Sequence, residues 1–121
     1  MRQPAGFHKV GKSEYASIFR YNVTTTDGYE DLRAILDEAY AQSSQGKGKE
    51  RHANNLPWDK QPILQITRNV GLGYPTGQAA KKIYESCGMV KREKREAAVQ
   101  ELLGAIVYAA AAIRYIRESE G

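Results

Sequence analysis

The stretch SQGKGKERHANNLPWDKQP, residues 44–62, sets Lys47, Lys49, Arg51 and His52 on a connector between two segments with helical periodicity. Arg51 offers a planar fork that matches phosphate, and the lysines supply point charges on flexible stems. His52 donates or accepts a hydrogen bond near neutral pH. A second stretch, GLGYPTGQAAKK, residues 71–82, follows closely. Gly71 and Gly73 let backbone amides come close to a ligand. Thr76 and Gly77 fall where a short helix is expected to begin, so that freed N–H groups and the helix dipole would attract an anion. Lys81 and Lys82 lie one turn further on, Tyr74 offers a ring for stacking on a base, and Gln78 completes the candidate set. Together the two stretches read as a seat for a phosphate-bearing ligand.

Plainer readings of the same residues stand beside that one. The Gly71 region is also a helix C-cap, a turn around Pro75 and a Thr-capped helix, and the connector lysines suit a solvated loop. Trp58 fits a core position equally well. The glycine spacing is neither that of a dinucleotide-binding turn nor that of a P-loop, which ends in Gly-Lys-Ser/Thr. KREKRE, residues 91–96, is expected at the opening of the last helix, where cations oppose the dipole. Glu93 and Glu96 make it a self-neutralising turn in the plainer reading. If functional, its charge would meet an anion at the mouth of the same seat.

Catalysis has little to stand on. An all-α nucleotide pyrophosphohydrolase needs several carboxylates converging on magnesium. Here Glu93 and Glu96 are interleaved with Arg92 and Arg95, and Glu101 stands alone among apolar residues. No Ser, Cys and His arrangement marks a nucleophile with its base. With a single cysteine, Cys87, and His8 far from His52, neither a disulfide nor a metal motif is visible. The expectation is binding without turnover, with no cofactor and no metal.

The 121 residues suffice for one domain with a modest core. Basicity is local: residues 46–60 carry four cations against two anions and residues 81–95 carry six against two, within a net charge of +4. That favours a defined anionic partner over a generally adhesive surface. No signal peptide is evident and the uncharged apolar run from Leu102 to Ile113 is shorter than the ~20 residues that span a bilayer. A cytoplasmic protein without a membrane partner is expected.

The expected fold is mainly α: a small helical domain over residues 27–121 with a long C-terminal helix, preceded by an N-terminal extended arm or short strand over 1–26. In that arm Tyr15, Phe19, Tyr21 and Val23 alternate at period two. Tyr29, Leu32, Ile35, Leu36, Ala39 and Tyr40 mark a first helix, with Asp27 as N-cap and Glu30 and Asp31 suiting the positive dipole end. A second helix is expected from Asp59, with Pro62 in its first turn, Ile63, Ile66 and Val70 as its apolar face, and Gly71 closing it. The third is expected to bury Ala80, Ile83, Tyr84 and Cys87 and to stop at Gly88. In the last helix Leu102, Ile106, Ala109, Ile113 and Ile116 form a stripe widened by Val99, Leu103, Val107 and Ala110. So wide an apolar surface exceeds what three short helices cover, and Ala109–Ala112 permit close helix approach. Homo-oligomerisation through the C-terminal helix is therefore expected.

The signature GKGKERHANN, QPILQI, GLGYPTGQAAKK and ELLGAIVYAAAAI, spanning residues 40–116, resembles small phage and prophage proteins. REKREAAVQELLGAIVYAAAAIRY is similar to the helical hairpin of phage signal sponges, the anti-CBASS and Thoeris anti-defence proteins. The resemblance implies a non-catalytic homo-oligomer, often a hexamer, that sequesters cyclic nucleotides or cyclic ADP-ribose in pockets between its subunits, in an infected or lysogenic bacterial host. No binding residue carries over on it. A divergent pyrophosphohydrolase, a nucleic-acid-binding protein using the same cations, and a protein that blocks a host factor are the alternatives.

Overall fold

The computed structural model describes residues 28–45 and 56–119. The expected arm over 1–26, Asp27, and the connector residues Lys47, Lys49, Arg51 and His52 lie outside the described residues. Those that are described are mainly helical: α1 spans Glu30–Gln45, a 3₁₀ turn spans Trp58–Lys60, and α2, α3 and α4 span Pro62–Val70, Gly73–Lys91 and Arg95–Ser119. Two units divide the chain inside α1, after Ala34. In the first, the Gly28 N–H donates to Glu30 Oε1 at 3.0 Å and the Arg33 N–H to the Tyr29 carbonyl at 3.1 Å, which closes the opening turn of α1. The second, from Ile35 onward, holds the rest.

The second helix begins later than Asp59. Asp59 sits in the 3₁₀ turn, and Pro62 takes the first helical position, where its missing N–H costs nothing. Gly71 ends α2 as expected, at φ +93°, with its N–H on the Thr67 carbonyl at 2.7 Å. Only two residues separate α2 from α3. The third helix is neither short nor stopped at Gly88; it runs 19 residues. A three-residue turn, Arg92–Lys94, then reverses the chain into α4.

That turn has the hydrogen bonding of a Schellman motif. The Lys94 N–H reaches the Met89 carbonyl at 2.8 Å and the Glu93 N–H the Val90 carbonyl at 2.9 Å. Glu93 occupies the left-handed position at φ +60°, which usually falls to glycine. Lys91 thus closes α3 and Arg92 caps it, so both cations lie at the favourable end of a helix dipole. The conflict foreseen for the opening of α4 falls on Arg95 alone, with Glu96 beside it.

Helices α3 and α4 form an antiparallel hairpin, since Tyr74 meets Tyr108 and Lys82 meets Glu101. Most buried positions on the two helices are small, Pro75 and Ser86 on α3 and Ala98, Ala105, Ala111 and Ala112 on α4, with Leu103 the exception. Small side chains let the backbones approach closely. The buried Thr67 and Ser86 hydroxyls are satisfied within their own helices, donating to the Ile63 and Ile83 carbonyls at 2.6 and 2.7 Å.

Burial falls on different faces from those that periodicity selected. On α2 the fully buried residues are Leu64 and Thr67, whereas Val70 is 66% exposed. On α3 Ala80, Ile83, Tyr84 and Cys87 all face water. On α4 Leu102, Ala109, Ile113 and Ile116 are exposed and Ala111 is buried completely. On α1 Ala39 is buried while Ile35, Leu36 and Tyr40 are not. Among the described residues, Leu64 and Leu103 are the only large aliphatic side chains in the buried set; the others are alanines, Pro75, Thr67 and Ser86. The interior of a single chain is thin, and its larger apolar groups lie outside.

By length and composition α4 is long and apolar enough to cross a membrane. Two of its carboxylates are nevertheless paired with cations on the other helices. Glu101 pairs with Lys82 on α3, and Glu118 with Arg68 on α2.

Candidate functional site

In the 71–82 stretch, α3 begins at Gly73, with Leu72 in the N-cap position and no side-chain cap. Thr76 is therefore inside the first turn and is not the cap. Its N–H donates to the Leu72 carbonyl at 3.1 Å and its Oγ1 to the same carbonyl at 2.7 Å. The Tyr74 N–H is directed at the Gly71 carbonyl at 3.2 Å, and Pro75 has no N–H to give. The amides assigned to an anion at Thr76 are already used. The cause is local: Gly71 breaks the chain so sharply that α3 restarts at once, three residues before Thr76.

Tyr74 and Lys82 converge, but on α4. The rings of Tyr74 and Tyr108 stand edge to face, 5.9 Å apart at 82°. Lys82 Nζ is 3.4 Å from Glu101 Oε1 and 5.9 Å from the centre of the Tyr108 ring. Burial, and then the hydrogen bond with Tyr74, push the Tyr108 phenol up to about 12. The stem of Lys82 lies along Gly104, where an added Cβ would come within 3.1 Å of its Cδ. This cluster clamps the hairpin. Glu101, which stands alone among apolar residues in the sequence, thus has its partner on the neighbouring helix, as an isolated glutamate within an apolar helix signals.

The other proposed residues are distributed differently. Gln78 is half-buried, and Lys81 is exposed, with Nζ 4.0 Å from Glu85 Oε2. Gly71 and Gly73 serve as helix end and helix start.

The basic turn is the most exposed concentration of charge among the described residues. Lys91, Arg92, Lys94 and Arg95 are all exposed, and none is in ion-pair contact with a carboxylate there. The Arg92 guanidinium folds back over Gly88, where an added Cβ would come within 3.2 Å of its Nη1. The turn's backbone hydrogen bonds fix the main-chain positions from which the four side chains project, which lowers part of the ordering cost of meeting an anion.

A second charged group lies at the other end of α4 and was not foreseen. Arg68 Nε and Nη2 donate to Glu118 at 2.6 and 3.0 Å. Arg114 joins Glu118 to Asp59 at 3.0 and 3.2 Å. The hydrogen bond from Arg68, and then the charges of Arg68, Arg114 and Lys60, hold the Glu118 carboxyl below its usual range, and Arg68 is raised in turn. Arg68 and Arg114 are matched by Glu118 and Asp59, and these pairs tie the 3₁₀ turn, α2 and α4 together.

Among the described residues, His, Cys, Asp and Glu side chains form no group of three or more able to hold a metal ion. In comparison with known proteins, the chain matches no family model, no curated protein and no solved structure.

Proposed function

We propose that this chain is a non-catalytic, homo-oligomeric binding protein that captures a phosphate-bearing ligand, with the basic turn between α3 and α4 as its anchor. The observation that carries this reading is the set of four exposed cations, Lys91, Arg92, Lys94 and Arg95, on a hydrogen-bonded turn with no ion pair to a carboxylate among the described residues. Lys82, by contrast, has its charge matched within the hairpin. The connector cations Lys47, Lys49, Arg51 and His52 belong to the same proposal as a second source of charge, with Lys81 on the exposed side of α3. The sponge resemblance supplies the ligand class, a cyclic nucleotide or cyclic ADP-ribose type signal, and the biological setting, phage counter-defence by sequestration in the host cytoplasm.

The test is calorimetric titration of the full chain with cyclic di- and trinucleotides and cyclic ADP-ribose isomers. Saturable heat, with intact ligand recovered after denaturation, is expected. Replacing Lys94 and Arg95 by Gln should weaken binding by at least about tenfold, as befits two charge-assisted contacts. Hydrolysed ligand, or affinity unaltered by that change, refutes the reading.

One observation favours a second reading. A projecting turn also suits a polyanion, so nucleic acid is the alternative. It predicts affinity for long polymers whose logarithm falls steeply with the logarithm of salt concentration.

A further inference from the structure

We infer that one side of the α3–α4 hairpin is the surface on which a second copy of this chain docks. The inference deepens the oligomeric part of the reading above and rests on it. The Lys82–Glu101 pair marks the line along which α3 and α4 meet, and Met89 on α3 and Ala98, Ala112 and Tyr115 on α4 are buried or half-buried. One residue after each stands an exposed aliphatic side chain: Ile83, Val90, Val99, Leu102, Ile113 and Ile116, all 41–50% exposed. A one-residue step turns a helix face by about 100°. Because the helices run antiparallel, the same step turns both stripes to the same side of the hairpin. The opposite side carries Glu118 and Arg114, where α2 and the 3₁₀ turn attach.

The area suits a protein partner of the same kind. From their exposures, these six side chains leave on the order of 500 Å² of apolar surface in water, near the top of the 300–600 Å² of a monomer's largest patch. The smaller exposed residues between them, Ala80, Cys87 and Ala109, extend it towards the ~800 Å² that each partner buries in a standard interface. Neither stripe contains a charged side chain that would select an acidic or basic partner. A twofold axis brings such a face onto its own copy, aliphatic against aliphatic, as a symmetric interface requires. The thin alanine interior of the single chain gives the same indication, because the large apolar groups have no other cover among the described residues.

Sedimentation equilibrium of the ligand-free full chain, from micromolar to hundreds of micromolar, tests this. The expected result is a concentration-dependent mass of two chains or a multiple of two. Ile113→Glu on α4 and Ile83→Glu on α3 should each weaken association by at least about tenfold, since both sit mid-stripe. Val70→Glu, 66% exposed on α2 and away from both stripes, should leave association unchanged. Circular dichroism establishes that each variant is folded, and Val90→Lys replaces any that is not. A monomeric wild type overturns both this inference and the oligomeric part of the proposed function. An oligomer that survives both stripe variants overturns the surface alone. Monomeric partitioning into phosphatidylcholine vesicles, abolished by Ile113→Glu, would assign the face to lipid and also overturn it. Ligand titration is independent of every one of these outcomes.

Discussion

Replacing Glu93 by glycine should make the protein more stable. Glu93 stands at φ +60° in the turn that reverses α3 into α4, with its own N–H and that of Lys94 fixed to the Val90 and Met89 carbonyls. A left-handed conformation costs an L-residue roughly 1–2 kcal/mol, and glycine escapes that cost while losing about 0.5–1 kcal/mol of extra chain entropy on folding. The carboxylate also lies at the negative end of the α3 dipole, worth a few tenths of a kcal/mol more against it. The four neighbouring cations attract it and offset that last contribution. A net gain of about 1 kcal/mol follows for Glu93→Gly, which for a chain of this length raises the melting temperature by about 4 °C. Glu93→Ala isolates the backbone part, because it removes the same charge and keeps the Cβ; its stability should stay within about 0.5 kcal/mol of wild type. Urea denaturation of the three proteins at one concentration, followed by circular dichroism, reads the difference. If Glu93→Gly proves no more stable than Glu93→Ala, the left-handed turn does not exist as described. The rigid presentation of Lys91, Arg92, Lys94 and Arg95 would fall with it.

Gly77 lies inside α3 with open space where a Cβ would be, so Gly77→Ala should stabilise by up to about 1 kcal/mol in thermal or urea melts. At Gly71, φ +93° forbids that benefit, and Gly71→Ala should destabilise by about 1 kcal/mol or more. Gly104→Ala gains helix propensity but displaces Lys82 from Glu101, so it should be nearly neutral alone and stabilising by about 1 kcal/mol in a Lys82→Ala background, a non-additivity read from a double-mutant cycle. For Tyr108 the unfolded phenol ionises near 10 and the folded one near 12, so the unfolded state sheds its proton first and stability falls as pH rises between those values. Discounted for partial exposure, the loss is about 1 kcal/mol; Tyr108→Phe should remove that component, as urea midpoints across the alkaline range will show.

Helix existence and class were legible because sustained spacings of three and four residues hardly allow another structure. The end of α2 was legible too, since Gly71 meets a left-handed requirement that few residues satisfy. The faces were not. Periodicity weighs residues by hydrophobicity, so it selected Ile83 on α3 and Ile113 on α4. The hairpin instead closes on the smallest residues, Ala98, Ala105, Ala112 and Ser86, and on the polar pair Lys82 and Glu101. Nothing local distinguishes a large aliphatic stripe meant for the chain's own core from one meant for another surface. The start of α3 was misplaced for a different reason. Thr76 has the composition of a cap, but Gly71 and Pro75 allow the helix to begin before it, and the threonine hydroxyl then bonds back to Leu72. The amides at Thr76 are thereby occupied, whereas the turn at 91–95, self-neutralising on its sequence alone, presents its four cations to solvent.

Those displaced faces bear on how folding and assembly are related. A buried set dominated by alanine removes little apolar area per residue, and hydrophobic stabilisation scales with that area. Chain entropy opposes folding in proportion to the number of residues ordered, whatever their size. A bundle of this length with Leu64 and Leu103 as its large buried aliphatics therefore has a small margin as a single chain. Covering the Ile, Leu and Val stripes of the hairpin adds, in one step, the burial that the interior lacks. If a second copy covers those stripes, as inferred above, folding and association draw on the same residues, and the melting temperature should rise with protein concentration as mass action requires. The stripe variants Ile113→Glu and Ile83→Glu should lose that dependence while keeping the helical content of the dilute wild type. A melting temperature independent of concentration, in a wild type that is demonstrably oligomeric, would separate the two processes and place the chain's stability in contacts other than the hairpin face.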